Sequence, residues 1–288
     1  MKVKQKAYAK INLALNVFKK EGEYHPLESL VTTVDLYDSV TLQRRKDDKI
    51  TLFAKGNVRE YVYNLTPTKD NAYKAACLYQ QAFNTLGVDI VVEKNIPLSS
   101  GMGGSSALAA AVLNAMNKLF DKNESLVELA NQLGSDTAFL LNGGTAILRG
   151  RGTQIEQLNK IPPLKILALF IDGGVDTAKC FETFDNMPPS SDYSDINKLA
   201  ISLYSNNIEY GECKNSLQNA ACKINDGVYK GLNFLKSLSP SAYFLTGSGS
   251  TVCALFNYEG LYDWAKQKAD AAGFNCQILT SIQPKTTR

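Results

Sequence analysis

Along "KINLALNV", residues 10–17, the apolar positions Ile11, Leu13, Leu15 and Val17 alternate with Lys10, Asn12, Ala14 and Asn16. A period of two predicts a strand, with Lys10 and Asn12 together on the face opposite the apolar one. "DSVTLQ" and "ITLFA" predict further short strands. The period changes after Asp70, which is placed to cap a helix: Ala72, Ala75, Ala76, Tyr79, Phe83 and Leu86 form one stripe that Gly87 is expected to stop. "VDIVVEK" then reads as a buried strand that leads into "IPLSSGMGGSSALAAAVLNAMN", residues 96–117, where Leu108, Val112, Ala115 and Leu119 resume helical spacing.

Ser125-x-x-Glu128 has the capping-box pattern, with Leu126, Leu129, Ala130 and Leu133 as the apolar face and Gly134 as the stop. Ser135 and Asp136 head a short helix, "TAFLL", ended by Asn142-Gly143-Gly144, and "TAILRGRG" reads as a strand running into a turn. Pro162 and Pro163 interrupt the pattern before the apolar strand "ILALFI", so two domains are expected, residues 1–158 and 159–288. The second half holds a polar, loop-rich stretch at 186–196, helices, a glycine-rich hairpin "AYFLTGSGSTVCALF", an amphipathic helix around Trp264 and a strand "CQILTSI". The 186–196 stretch, with Pro188 and Pro189, is expected to be a mobile loop.

Composition narrows the class. The 288 residues are 44% hydrophobic and 20% charged, as in ordinary soluble domains. No run approaches the roughly 18 apolar residues of a membrane span, and "MKVKQKAYAK" lacks the apolar core of a secretory signal, so a cytoplasmic protein is expected, away from membranes. The net charge of +3 is dispersed, and the one basic cluster, "RRK" at 44–46, runs straight into Asp47 and Asp48, which excludes a nucleic-acid footprint. Six cysteines without a C-x-x-C pair, beside a single histidine, offer no zinc site and read as buried free thiols.

The candidate chemistry begins at Gly101, Gly103 and Gly104. Lysine is missing where a Walker loop needs it, and Ser106 stands where a dinucleotide loop needs its third glycine. Glycines before a helix let consecutive N–H groups approach an anion at the positive end of the helix dipole. Ser105 and Ser106 could add hydroxyls for a phosphate or for Mg²⁺ carried by it. The alternative is a strand–helix turn packed by small residues. Lys10 alone reads as part of a strand face that meets water, and Asp136 alone as an N-cap. Together they would suit phosphoryl transfer to an alcohol, with the carboxylate accepting the proton and the ammonium steadying charge.

"AKINLALNV", "PLSSGMGGSSALAAA" and "LTGSGSTVCALF" resemble, in order and spacing, the three motifs of the GHMP kinases. "LGSDTAFLLNGGTAILRGRG", "EYHPLESLVTTVDLYDSV" and "VDTAKCF" are similar to segments of those members that phosphorylate the 2-hydroxyl of diphosphocytidyl-methylerythritol, a step of the non-mevalonate isoprenoid route. The resemblance implies an α+β, two-domain fold with an N-terminal domain like domain 2 of ribosomal protein S5, a ferredoxin-like C-terminal domain and an active-site cleft between them. It implies ATP with Mg²⁺ as co-substrate, a cytidine diphosphate-linked polyol as acceptor, and a monomer or weak homodimer.

Carried over by position, Asp136 is the base and Lys10 its partner, and Asn12 lies beside the substrate. Pro97, Gly101, Gly103, Gly104, Ser105 and Ser106 hold the ATP phosphates, with Ser105 or Ser106 toward the metal, and Asn71 lies near the adenine. Tyr24, His25 and Phe181 hold the cytosine, Thr177 is close to the substrate, and Gly247, Ser248 and Gly249 form the third motif. Aromatic faces stack well on a base, although the lone histidine, read by itself, is an exposed loop residue. Two departures stand out. The family's "GLGGGSSDAAA" is here "GMGGSSALAAA", and "RxDGYH" is here "KEGEYH". Another GHMP kinase, such as one acting on homoserine, would not need the aromatic cluster, and a non-catalytic nucleotide-binding regulator would not need Asp136.

Overall fold

The computed structural model describes residues 1–55, 67–189 and 191–284. The chain divides into two compact units interleaved in sequence. The first takes Met1–Ala9, Leu36–Ile96 and Gly103–Gly143, and the second takes Lys10–Asp35, Pro97–Met102 and Gly144–Arg288. Two long strands, β1 (Lys2–Val17) and β2 (Leu27–Arg44), contribute residues to both.

In the first unit, β4 (Val88–Glu93) pairs antiparallel with Ser39–Arg44 of β2 and parallel with β3 (Thr51–Lys55). Four helices accompany these strands: α1 (Asn71–Phe83), α2 (Gly104–Leu119), α3 (Val127–Leu133) and α4 (Thr137–Asn142). The alanine-rich start of α2 explains how it lies among the other three. Ala107, Ala109, Ala110, Ala111 and Ala115 are all buried and let α1, α3 and α4 approach closely. Asp70 caps α1 as expected, accepting the N–H of Ala72 at 2.7 Å.

Two local expectations are corrected. Helix α1 ends at Phe83, with Asn84 in the left-handed region (φ 47°), so Leu86 lies beyond it and Gly87 is not its stop. Gly87 serves a close approach instead: a Cβ there would overlap the Lys49 carbonyl, and its N–H donates to Asp47 O at 2.8 Å. The Ser125–Glu128 box does not form either. Helix α3 begins two residues later than Ser125, with Leu126 in the cap position and no side-chain cap.

In the second unit, Leu27–Thr32 of β2 pairs with β5 (Thr145–Gly150), and β5 with β6 (Gln154–Leu158). Strand β6 escapes the periodicity because Ile155 and Leu158, its apolar residues, are three apart. The remaining elements are β7 (Lys165–Phe170), α5 (Thr177–Asp185), α6 (Ile196–Tyr204), α7 (Gln218–Ile224), α8 (Asp226–Ser237), β8 (Ala242–Leu245), β9 (Val252–Leu255), α9 (Leu261–Ala271) and β10 (Asn275–Thr280). Strands β7–β10 make an antiparallel sheet in the order β10-β7-β9-β8, the ferredoxin-like arrangement. Its core joins Leu167, Leu169 and Val252 to Val228, Leu232 and Ala265 of the helices, and to Leu15 and Val17 of β1.

The polar stretch at 186–196 has no regular structure over 191–195, and Ser190 lies outside the described residues. Its later part is anchored rather than loose: Ser194 N–H donates to Asn16 Oδ1, and Asn16 Nδ2 donates to Ser194 O, both at 2.9 Å. Among the described residues, no helix is long and apolar enough to cross a membrane. All six cysteines are free. Cys180, Cys213 and Cys253 are buried as expected, whereas Cys77, Cys222 and Cys276 are only half-buried.

Candidate active site

The polar face of β1 does not meet water. From Ala9 to Val17 the strand is buried on both sides, and Lys10 and Asn12 keep 5% of their surface each. A buried ammonium and amide must find partners, and the second unit supplies a chain of them. Lys10 Nζ donates to Asn12 Oδ1 at 2.5 Å, Asn12 Nδ2 donates to Ser29 Oγ at 2.8 Å, and Ser29 Oγ donates to Ala14 O at 2.7 Å. The backbone is fixed as well: Lys10 N–H donates to Met102 O at 3.0 Å, and Asn12 N–H donates to Thr246 Oγ1 at 2.9 Å. The strand thus presents its cation at a set place against both glycine-rich segments.

Those segments lie backbone on backbone. A Cβ at Gly101 (φ 74°) would overlap Thr246 O and stand 2.7 Å from Gly249 N, and one at Gly247 (φ 56°) would stand 2.5 Å from Gly101 O and 3.1 Å from Lys10 Nζ. Only glycine fits either position. Two ladder-like bonds continue the contact, Ser250 N–H to Ser99 O and Thr251 N–H to Ser100 O, each 3.1 Å. Thr177, at the head of α5, shares a 2.9 Å hydrogen bond with Ser248. Asn215 grips the same turn, its Nδ2 donating to Leu245 O at 2.7 Å and Gly247 O at 2.8 Å. Pro97, half-buried, opens this strap.

In the first unit, Gly103 (φ 71°) turns the chain into α2, and Gly104, Ser105 and Ser106 form its first turn, whose N–H groups have no intrahelical partners. A buried ion pair lies beneath. Lys94 Nζ donates to Asp38 Oδ2, and Asp38 Oδ1 accepts the N–H groups of Asn95 at 2.6 Å and Ile96 at 2.8 Å. Lys94 Nζ would lie 3.3 Å from a Cβ on Gly104, so this pair supports the helix start directly. Ser105 is exposed, whereas Ser106 Oγ points to Gly134 and stands 3.3 Å from where a Cβ would be. Gly134 (φ 154°, ψ 155°) adopts a conformation that is essentially glycine's alone. Asp136 follows it, half-buried in the cap position of α4, yet its side chain does not cap that helix. The simple N-cap account of Asp136 therefore fails. Thr137 Oγ1 beside it is buried without a hydrogen-bond partner. Asn71 reaches the same corner, donating to Leu133 O at 3.4 Å.

The aromatic residues gather elsewhere in the second unit. His25 Nδ1–H donates to Phe18 O at 2.8 Å, and its ring lies 5.5 Å from that of Phe181 and 5.9 Å from that of Phe184. Tyr24 is 46% exposed and is covered on one face by Arg151, whose guanidinium carbon is 3.3 Å from the ring centre. The structure thus brings His25 to Phe181, while Tyr24 is covered by Arg151. Sequence reading missed Arg151, Asp38, Lys94, Asn215 and Thr246. Arg151, Asp38 and Thr246 fall inside the segments quoted for the resemblance, but nothing in their spacing marks them. The thiols offer no rival nucleophile: burial pushes Cys180 up to about 11 and Cys213 up to about 12, and raises Cys253 despite the opposing charge of Lys10.

A glycine-headed helix, a buried lysine on β1 and a glycine turn pressed against that lysine and against Gly101 define a kinase of the GHMP class, and the model of the GHMP kinases N-terminal domain matches residues 70–144. The 4-diphosphocytidyl-2-C-methyl-D-erythritol kinase of Clostridium perfringens (strain 13 / Type A) is 34% identical over 262 residues, which cover 88% of this chain and 89% of that protein. The enzyme of the same name from Listeria monocytogenes serotype 4b is 32% identical, with 99% and 96% covered. The chain belongs to the 4-diphosphocytidyl-2-C-methyl-D-erythritol kinase family. A crystal structure of 4-(cytidine 5'-diphospho)-2C-methyl-D-erythritol kinase superposes with a TM-score of 0.77 at 28% identity, covering 97% of this chain and 99% of that one. Homoserine kinase from Cytophaga hutchinsonii, with a TM-score of 0.75, 18% identity and 99% and 96% covered, shares the fold. The architecture is the mixed α+β, two-domain GHMP kinase fold, and the protein is a phosphotransferase for which ATP is the implied co-substrate.

Proposed function

We propose that the protein transfers the γ-phosphoryl group of ATP to the 2-hydroxyl of 4-diphosphocytidyl-2-C-methyl-D-erythritol. The observation that carries this reading is the buried Lys10–Asn12 face of β1, which is fastened to Met102 and Thr246 and presses its ammonium against Gly247. Such a fixed cation suits charge that develops on the hydroxyl and the transferring phosphoryl group. Asp136, on the first unit, is the general base that takes the hydroxyl proton. The N–H groups at the head of α2, with Gly101, Gly103, Gly104 and Ser105, receive the phosphates, while Pro97 shapes the strap and Asn71 takes the adenine end.

No group of three or more His, Cys, Asp or Glu among the described residues is arranged to hold a metal. Mg²⁺ would arrive with the nucleotide, and the hydroxyl of Ser106, aimed at the corner that carries Asp136, is the protein ligand we assign to it. When bound, Mg²⁺ neutralises part of the phosphate charge. Tyr24, His25 and Phe181 bind the cytosine, and Thr177 with Gly247, Ser248 and Gly249 lines the acceptor side. The chain divides functionally after Leu158, where β6 ends before β7 opens the ferredoxin-like sheet. The protein acts in the cytoplasm on small molecules, as a monomer or weak homodimer.

The direct test is ADP release from Mg-ATP with 4-diphosphocytidyl-2-C-methyl-D-erythritol, run beside homoserine and mevalonate. Turnover with the cytidylyl compound alone is expected, and turnover only with another alcohol would discard the substrate. Asp136→Asn should bind ATP normally and lose about 10²–10⁴-fold in kcat; retained turnover would remove the base assignment.

A further inference from the structure

The turn that carries Tyr24 and His25 is closed upon itself and then fastened to α5. Phe18 N–H donates to Pro26 O at 2.9 Å, and Phe18 O accepts from His25 Nδ1 at 2.8 Å. With its proton on Nδ1, the imidazole turns Nε2 toward α5. There Nε2 lies 2.9 Å from Asp185 Oδ1, the histidine side chain 9% and the carboxylate 37% exposed. The approach is oblique and does not form a directed hydrogen bond; the carboxylate stands against the Nε2 edge of the ring and pairs with it as an ion only when both ring nitrogens carry protons.

Asp185 is the last residue of α5, four after Phe181, so both project from one face of the helix toward the imidazole. A carboxylate in the last turn of a helix opposes the dipole, and its imidazole partner accounts for its presence there. Helix α5 also begins at Thr177, bonded to Ser248 of the glycine turn. One nine-residue helix, about 12 Å along its axis at the usual rise, therefore joins the acceptor end of the substrate to the base end.

We propose that Asp185 is a positioning residue for recognition of the base. It fixes the His25 ring, and through it the Tyr24–His25 turn, without touching the substrate. This rests on the functional reading above. Asp185→Ala should raise KM for the cytidylyl substrate about tenfold, as coupled contacting residues do, with kcat, KM for ATP and the melting temperature close to those of the parent. In a His25→Ala background the same substitution should add nothing, whereas a merely structural role would lower stability and weaken both backgrounds alike. Asp185→Asn, which keeps the size of the side chain, serves if the alanine variant folds poorly. Because the chain has one histidine, its imidazole ¹⁵N signals also read the contact directly, and they should move in Asp185→Asn.

An unchanged KM in a parent that turns over the cytidylyl compound would overturn the proposal alone, as would an equal loss in the His25→Ala background. A parent that does not use the cytidylyl compound would overturn the functional reading, and the role in base recognition with it. Unmoved imidazole signals would remove the contact itself.

Discussion

Two regions of the second unit, both assigned to one substrate, are built in opposite ways. The Lys10–Gly101–Gly247 region is buried and held by backbone: carbonyls and N–H groups of residues 99–102 meet those of residues 246–251 at distances that leave no room for a Cβ. The Tyr24–His25 turn is closed by its own short-range backbone bonds, but it is fastened to the rest of the unit by side chains, Arg151 on the exposed Tyr24 and Asp185 on His25. Backbone contact depends little on which residues carry it, apart from the glycines. The fold shared with homoserine kinase at 18% identity is consistent with that. Side-chain pairs change with single substitutions. On the roles proposed above, charge stabilisation falls to the rigid part of the scaffold, and recognition to the part that can vary.

The difference can be broken at its stronger end. Gly101→Ala puts a methyl group into the Thr246 carbonyl at a φ of 74°. Strain of roughly 1–3 kcal/mol, before any displacement of the turn, is expected. We expect a fall in melting temperature together with a loss of kcat of about 10²-fold or more, since displacements near 1 Å in positioned groups cost that much. Calorimetry and ADP release check this, and a stable variant with normal kcat would show that the close approach does not matter. At the weaker end, Arg151→Ala uncovers one face of Tyr24. Cation–π contacts at exposed sites are worth about 0.5–1 kcal/mol, so KM for the cytidylyl substrate should rise only about two- to fivefold. Stability and kcat should hold; a change in kcat as large as that of Gly101→Ala would erase the contrast.

A substitution remote from both regions supplies the baseline. Arg45 donates to Asp47 and Asp89 at 2.6 Å each. Its hydrogen bond holds Asp47 down at about 2, and bonds from Thr51 and Arg45 lower Asp89. Carboxyls depressed in the folded state contribute stability above their ordinary value near 4 and lose it as pH falls through the folded value. The urea midpoint of Arg45→Ala should therefore lie slightly below that of the parent at neutral pH, and the gap should close toward pH 2. Kinetics at both regions should not change. A gap that widens in acid would reverse the sign of the argument.

Lys10 and Asn12 were readable as neighbours on one strand face, because alternation is a local property. That the face is buried was not readable, since Met102 and Thr246, which cover it, come from distant parts of the chain. The cap at Asp70 was readable for the same local reason. Gly87 was misread because its constraint is the Lys49 carbonyl, which no periodicity reports. The glycine segments could be recognised as phosphate-binding candidates, but not the backbone ladder that couples Gly101 to Gly247 and Gly249. Asp185 and Arg151 look like ordinary charged surface positions until the turn at residues 18–26 is placed beside them.

The long strand β1 has a consequence for how the molecule is made. Its first eight residues, Lys2–Ala9, serve the first unit and its last eight, Lys10–Val17, serve the second, whose final strand ends at Thr280. The Lys10–Asn12 segment leaves the ribosome well before its covering: β7 opens its sheet only at Lys165, and Thr246 lies 234 residues after Asn12. Such sequence-distant closure slows folding and leaves this strand, though paired early with β2, without its later covering until those residues are made. At about 5–20 residues per second, that wait is of the order of ten seconds or more. The strand that positions the cation is therefore also the part of this chain whose covering is made last, and a fragment cut after Leu158 would lack both Thr246 and the β7–β10 sheet.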